Sequence, residues 1–309
     1  MADTTQQNTA GAPRDNRLGA LWLLASAVLF TGTSILVKIL GQSLHPFEIS
    51  FFRAMVGLVL LMPLFYRSGG IKAGIATQVP ALQFLRGAVG SVAMFCGFYA
   101  IVHLPLADAQ AISFSRNLFI VPLAAMILGE VIGLRRSLAA AVGFVGVLIM
   151  LRPGSDLMFS IPALTALSHA VLVALATILV SIVSRYDRPV TLMFYTNVVG
   201  ALLIAVPTIF VWQMPTGREF VLLLLMGGLA MAAHNCFIRA FAIGEASAIA
   251  PVDYSRLVLA AIAGFMLFGS VPDGYTIIGA AIIVAASLYI VRREAQLQRA
   301  ASIVPQQGQ

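Results

Sequence analysis

The chain has 309 residues, 60% of them hydrophobic and 10% charged, where a soluble domain carries about 25% charged residues. A water-soluble fold of this length has no way to hide so much apolar surface, so lipid must be the solvent for most of it. The formal charge of +7 does not mark a nucleic-acid binder, because the basic residues stand singly or in pairs between apolar runs and form no patch with interleaved aromatics.

Residues 1–17 are polar and read as a disordered cytoplasmic tail. The apolar run that follows is longer than the roughly 7–15 residues of a signal-peptide core and reads as a retained helix. A membrane-crossing helix needs about 20 mainly apolar residues. Spans are predicted over 18–40, 46–66, 80–102, 106–128, 134–151, 161–183, 189–211, 219–242, 247–267 and 274–291. Pro46, Pro105 and Pro189 stand at helix starts, where the missing N–H costs nothing. Arg152-Pro153-Gly154 closes the fifth span, and 294–309 is predicted to be a second cytoplasmic tail.

Loop charges set the expected orientation. Arg14, Arg17, Arg67, Lys72, Arg135, Arg136, Arg185, Arg188, Arg292, Arg293 and Arg299 fall on one side, and Arg152 and Arg218, with Lys38 at the edge, on the other. Both termini should therefore be cytoplasmic, in the inner membrane. Trp22 and Trp212 read as interfacial aromatics, with substrate stacking as the alternative. Cys96 and Cys236 lie in apolar runs and read as packing residues.

The two halves of the chain match. A shift of 140 places Gly87 on Gly227, Cys96 on Cys236, Ser115-Arg116 on Ser255-Arg256, Gly129 on Gly269 and Arg152 on Arg292. A shift of 143 places Pro46 on Pro189, Phe51 on Phe194 and Gly57 on Gly200. The expected architecture is all-α, with ten transmembrane helices as two inverted five-helix repeats over 18–152 and 161–293, joined by a linker at 153–160. Five spans per half turn the second half upside down, and inverted halves rocking about a central site are a design of secondary transporters.

Leu44-His45-Pro46-Phe47-Glu48 through Phe52-Arg53, Leu128-Gly129-Glu130, Gly143 through Leu148, Pro251-Val252-Asp253-Tyr254 and Gly269 follow in this order. Together they resemble the EamA-type ten-helix transporters of the drug/metabolite transporter superfamily. The likeness runs from Leu18 to Glu294, with one departure, Ser270 where the first half has Glu130. It implies a helix bundle with a central cavity that moves small organic solutes, in either direction. Phe-Glu-x-x-Phe-Phe-Arg with Pro-x-x-Tyr-x-Arg-Leu is similar to uptake-type members for S-adenosylmethionine or riboflavin. Export of amino acids or other metabolites is the alternative.

Ionisable groups inside a span are costly and so are functional candidates. Arg116 and Arg256 are predicted near mid-membrane from opposite sides, as a substrate or gating pair or as a structural salt bridge. Asp253 precedes Arg256 by three residues, on one helix face. Ser113 holds the matching place before Arg116, leaving that arginine without a local counter-ion, so Asp253 or a substrate anion is expected to reach it. Phe114 and Tyr254 are paired by the repeat and either stack on a planar substrate or pack. Lys38 and Glu48 are expected to pair across the outer mouth or to snorkel, with Arg53 beside them. Arg86 and Arg239 should snorkel. His169 and His234 either relay protons or pack with their nitrogens bonded. Asn197, Asn235 and Ser168 either bond substrate or join helices.

No His-Glu-x-x-His, Gly-x-Ser-x-Gly or phosphate loop is present, and no nucleotide domain to drive a pump. An intramembrane enzyme and a non-transporting scaffold are the rival classes. No catalytic residue, cofactor or metal site is expected. The expected partners are a small-molecule substrate and the lipid bilayer, not nucleic acid, and a homodimer is left open. The coupling proton, if there is one, would fall to Asp253, His169 or Glu130.

Overall fold

The computed structural model describes residues 15–67, 70–129, 133–152 and 160–303. Glu130 and Pro153-Gly154 fall outside these residues, as do most of the expected linker, residues 1–14 of the first expected tail and residues 304–309 of the second. The described chain is helical throughout: α1 (Asn16–Leu40), α2 (Pro46–Arg67), α3 (Ile71–Ile75), α4 (Pro80–His103), α5 (Leu106–Phe114), α6 (Arg116–Leu128), α7 (Leu134–Leu151), α8 (Ile161–Val183), α9 (Pro189–Val211), α10 (Gly217–Ile243), α11 (Ala246–Asp253), α12 (Ser255–Phe268) and α13 (Gly274–Ile303). Among the described residues ten spans are long and apolar enough to cross a membrane, so the chain is a multi-pass membrane protein.

Helix ends follow local chemistry. Asp15 accepts from the N–H groups of Arg17 and Leu18 at 2.9 and 3.0 Å, so α1 begins inside the expected tail. Ser160 caps α8, and Thr216 with Glu219 forms a reciprocal capping box on α10. Gly129 and Gly269 end α6 and α12 in the left-handed region, with φ of 68° and 64°. That conformation favours glycine, which explains why the repeat keeps both. At the far end α13 runs on to Ile303, past the expected stop at 291, because nothing in Arg292-Arg293-Glu294 breaks a helix. The short α3 was not legible as a separate element.

The packing crosses between halves. α1 lies against α10 and α8 against α4, and these are the same two spans of each half with their roles exchanged. α2 packs on α9 and α7 on α13, each span against its own counterpart. Small residues let these crossings close. A Cβ on Gly279 would fall 2.6 Å from the Gly146 carbonyl oxygen, and one on Gly146 would fall 2.9 Å from that of Gly279. Without a hydrophobic drive between helices in lipid, such close backbone contact is a main source of association. Large apolar side chains such as Leu21, Val59, Leu138 and Val206 point outward and stay exposed, ready for lipid.

Candidate functional site

Two of the ten spans are broken. The fourth divides at Ser115 into α5 and α6, and the ninth at Tyr254 into α11 and α12. The sequence reading had both continuous. At the second break the Tyr254 N–H bonds the Pro251 carbonyl, three residues back, at 3.3 Å. In the first half Ala111 holds that place. There the Ser115 hydroxyl donates to the Ile112 carbonyl at 2.6 Å, and the Ser115 N–H bonds the same carbonyl at 3.0 Å. This tightens the chain into a 3₁₀-like turn.

The breaks put two arginines at matched depth. Arg116 stands ten residues after Leu106 and twelve before Leu128; Arg256 stands ten after Ala246 and twelve before Phe268. Each is about 15 Å into its span at 1.5 Å per residue. Asp253 joins them. Its Oδ1 is 2.7 Å from Arg256 Nη2, an ion pair without the angle of a hydrogen bond, and its Oδ2 accepts from Arg116 Nη2 at 3.5 Å. The side chains of Arg256 and Asp253 are 10% and 12% exposed, and that of Arg116 is 23% exposed. The acid is thus held tightly by one arginine and loosely by the other.

Aromatic rings floor the cluster. Arg256 lies over Phe30 at 4.3 Å and Arg116 over Phe114 at 5.4 Å. Phe114 and Tyr254 touch with ring centroids 4.9 Å apart, and the Tyr254 hydroxyl accepts from Asn117 at 3.3 Å. Rings of this kind stabilise a desolvated guanidinium. Phe30 and Asn117 were not singled out in the sequence, because nothing marks which apolar-helix ring a distant arginine will meet. His169 is bonded at both nitrogens, Nδ1 to the Ala93 carbonyl at 2.7 Å and Nε2 to the Ser113 hydroxyl at 3.1 Å. A carbonyl only accepts, so Nδ1 carries the proton and Nε2 accepts from Ser113. His169 and Ser113 therefore tie α8 to α4 and α5 beside the cluster.

The remaining candidates lie elsewhere. Lys38 and Glu48 do not pair. The Lys38 ammonium donates to the carbonyls of Leu104, Ile101 and Val102 at 2.6, 3.1 and 3.4 Å. The free carbonyls and negative dipole at the end of α4 hold it there. Glu48 is fully buried and accepts from the backbone N–H of Gln213 at 2.6 Å and of His45 at 3.1 Å, fastening the start of α2 to the α9–α10 loop. Arg53 turns toward α4 and contacts the Met94 sulfur. Arg86 does not snorkel but donates to the Leu192 carbonyl and Thr196 hydroxyl of α9 at 2.8 and 2.7 Å. Arg239 lies over Trp22 at 5.1 Å. Asn197 and Asn235 bond carbonyls of their own helices.

Asp187, in the α8–α9 loop, was also missed. It accepts from the Gln83 amide at 2.7 Å, the Gln78 N–H at 3.1 Å and the Thr77 hydroxyl, linking the two halves at one end of the bundle. Burial opposes its charge, but these bonds outweigh it and hold the carboxyl below the usual range. A lowered folded value means that the stabilisation is present above the unfolded value and is lost as pH falls through the folded one. Thermal unfolding of the purified protein should therefore show stability declining on acidification below about pH 4, and Asp187→Asn should lose the part of that decline due to this site. An identical acid profile in the variant would show that the link carries no stability.

The comparisons with known proteins agree with this architecture. A sequence model described as the EamA-like transporter family matches residues 17–152 and again 160–292. An S-adenosylmethionine uptake transporter of Rickettsia felis is 31% identical over 89% of this chain and 93% of its own length. A pseudopaline exporter of Pseudomonas aeruginosa is 31% identical over 89% and 96%. A riboflavin transporter of Rhizobium johnstonii is 29% identical over 97% and 99%. Each family match takes in one of the broken spans and its arginine, and the chain belongs to the EamA-like transporter family of membrane transporters.

Proposed function

We propose that the protein moves a small polar organic metabolite across the cytoplasmic membrane by alternating access, with Arg116, Asp253 and Arg256 at the centre of the substrate path. In this reading the two five-helix halves, 18–152 and 161–293, are inverted relative to each other and rock about the cluster. One observation carries it: a single carboxylate shared by two arginines at equivalent breaks in two equivalent spans. One acid does not neutralise two guanidinium groups, and a bare charge at that depth is costly. The surplus falls on Arg116, which is left to meet an anionic or electron-rich group of the substrate, with Phe114 and Tyr254 available to stack on a planar part. The relatives named for S-adenosylmethionine uptake and riboflavin transport favour uptake of a cargo of that kind, with a carboxylate or an electron-rich ring. Export is the second reading, favoured by the similarity to a pseudopaline exporter.

Uptake and retention of a labelled metabolite panel, in cells with and without the gene, separates the two directions. If no panel member distinguishes the cells, and purified protein in liposomes moves none of them, transport of this substrate class fails. The same reading places both termini in the cytoplasm. Reporter fusions at Gly154 should report outside and fusions at Arg299 inside. A C-terminus found outside would sink the inverted arrangement.

A further inference from the structure

The first and sixth spans are counterparts at the shift of 143, yet one face of each meets a different fate. On α1 the face carries Leu23, Ala27, Thr31, Ser34, Lys38 and Gly41, at helical spacings of three and four. All six are buried or half-buried, to the last turn and its cap. On α8 the same places hold Ala166, Ala170, Ala174, Thr177, Ser181 and Ser184. The three alanines are buried, and the three hydroxyl residues that follow are exposed.

The neighbours account for the difference. Gly41 meets the Val102 side chain so closely that no Cβ would fit, and Ser34 accepts from the Gln110 amide of α5 at 3.0 Å. Lys38 lies between them, bonded to the last carbonyls of α4 and 5.6 Å from the centre of the Phe268 ring. The shift of 140 turns Val102 and Gln110 into Ala242 and Ala250. These are the residues that the end of α8 would meet if the second repeat closed as the first does. Ala242 is exposed, and among the described residues α8 has no packing on α10 to match that of α1 on α4. The hydroxyl face of α8 continues a buried face, so it borders the gap toward α10. The bundle is thus shut at the end that holds Lys38 and parted at the other.

Side-chain chemistry favours this arrangement over its mirror image. At the shut end Asp108 of α5 accepts from the Thr276 hydroxyl of α13 at 2.9 Å, and Arg152 pairs with Asp273. At the other end Ala248 and Gly133 stand where these two acids would be, and Ser181 stands where Lys38 would be. Neither Ala248 nor Gly133 has a carboxylate, and the serine is too short to reach across a helix end. An equilibrium between two states follows the contacts that only one of them makes, and here these contacts lie on one side.

We infer that Lys38 is the latch of the outer mouth, and that it biases the protein toward a resting state open to the cytoplasm. The last carbonyls of a helix need partners, and the ammonium supplies three of them only while α1 lies against α4. Opening the outer mouth takes those bonds apart. The inference rests on the alternating-access reading above and on its topology, and adds the state in which the protein waits and the residue that holds it there.

The test reads accessibility and uses no substrate. Ser34→Cys places a thiol on the shut part of the α1 face, and Ser181→Cys places one on the parted face of α8. Each full-length variant is treated with a membrane-impermeant maleimide, from outside on intact cells and from the cytoplasmic side on inverted vesicles. Wild type, with Cys96 and Cys236, sets the background. Ser181→Cys should react from the cytoplasmic side about tenfold faster or more than Ser34→Cys reacts from outside. Lys38→Ser gives α1 the residue that α8 already carries. It should raise the reaction of Ser34→Cys from outside by about tenfold or more, and lower that of Ser181→Cys from inside. Should Lys38→Ser fail to accumulate, Lys38→Gln is read in the same way. A protected Ser181→Cys, or a Ser34→Cys that is already reactive without the Lys38 change, overturns the resting state. A Ser34→Cys that stays protected after the Lys38 change overturns the latch, and substrate uptake by that variant would leave the transport reading standing. If Ser34→Cys becomes reactive while Ser181→Cys reacts as before, both ends are open together. Alternating access then fails, and Lys38 stands as the outer seal.

Discussion

Replacing Arg116 with glutamine is expected to abolish transport and leave the fold intact. Its guanidinium is only 3.5 Å from the Asp253 carboxylate and is the more exposed of the two arginines. Arg256 holds the same acid at 2.7 Å and is sandwiched near Phe30. The charge of Asp253 is therefore spent mostly on Arg256, and Arg116 retains the capacity to bind an anion. Loss of one charge-assisted contact in a site closed to water costs on the order of 3 kcal/mol, or about a hundredfold in binding. Glutamine keeps most of the length and a donor, so packing against Phe114 survives. The measurements are membrane insertion, thermal unfolding and uptake by liposomes containing equal amounts of protein. Normal transport by well-folded Arg116→Gln would make this arginine structural and move the site elsewhere.

Asp253→Asn should behave in the opposite way, damaging the fold first. Asp253 is the acid between two guanidinium groups that reach it from two different spans. Removing its charge leaves two like charges facing each other in a poorly solvated place. Breaking a buried pair at one partner costs about 3–5 kcal/mol, so a fall in unfolding temperature of several degrees is expected. Adding Arg116→Gln to Asp253→Asn removes one of the repelling cations and should restore part of the loss, because the two sites are coupled through contact. A single variant as stable as the wild type, or a double variant less stable than the sum of its parts, would show that the carboxylate does not clamp α6 to α11 and α12.

Much of this protein was written in its apolar runs. The ten spans, and several of their starts at Pro46, Pro105 and Pro189, follow from length, hydropathy and proline placement, because in lipid the backbone must satisfy itself and a helix is the local solution. The mid-span arginines and Asp253 were legible for a related reason: a charge deep in an apolar run is costly enough to stand out. The matching of Ser115-Arg116 with Ser255-Arg256 paired the two arginines, but neither break followed from it, since Ser115 and Tyr254 carry no mark of a turn inside an apolar run.

Where each charge finds its partner was decided only by tertiary structure. Lys38 met the carbonyls of α4 instead of Glu48, and Glu48 met the backbone of the α9–α10 loop. Arg86 crossed to α9, and Phe30 came to lie beneath Arg256. Helical periodicity tells which residues share a face, yet not which other helix that face will meet or at what height. A backbone carbonyl or an aromatic ring partners a cation as well as a carboxylate does, and every helix supplies both. The sequence thus determines that these charges must be satisfied inside the bundle, while the crossing of the helices, set by close contacts such as Gly146 on Gly279, determines by what.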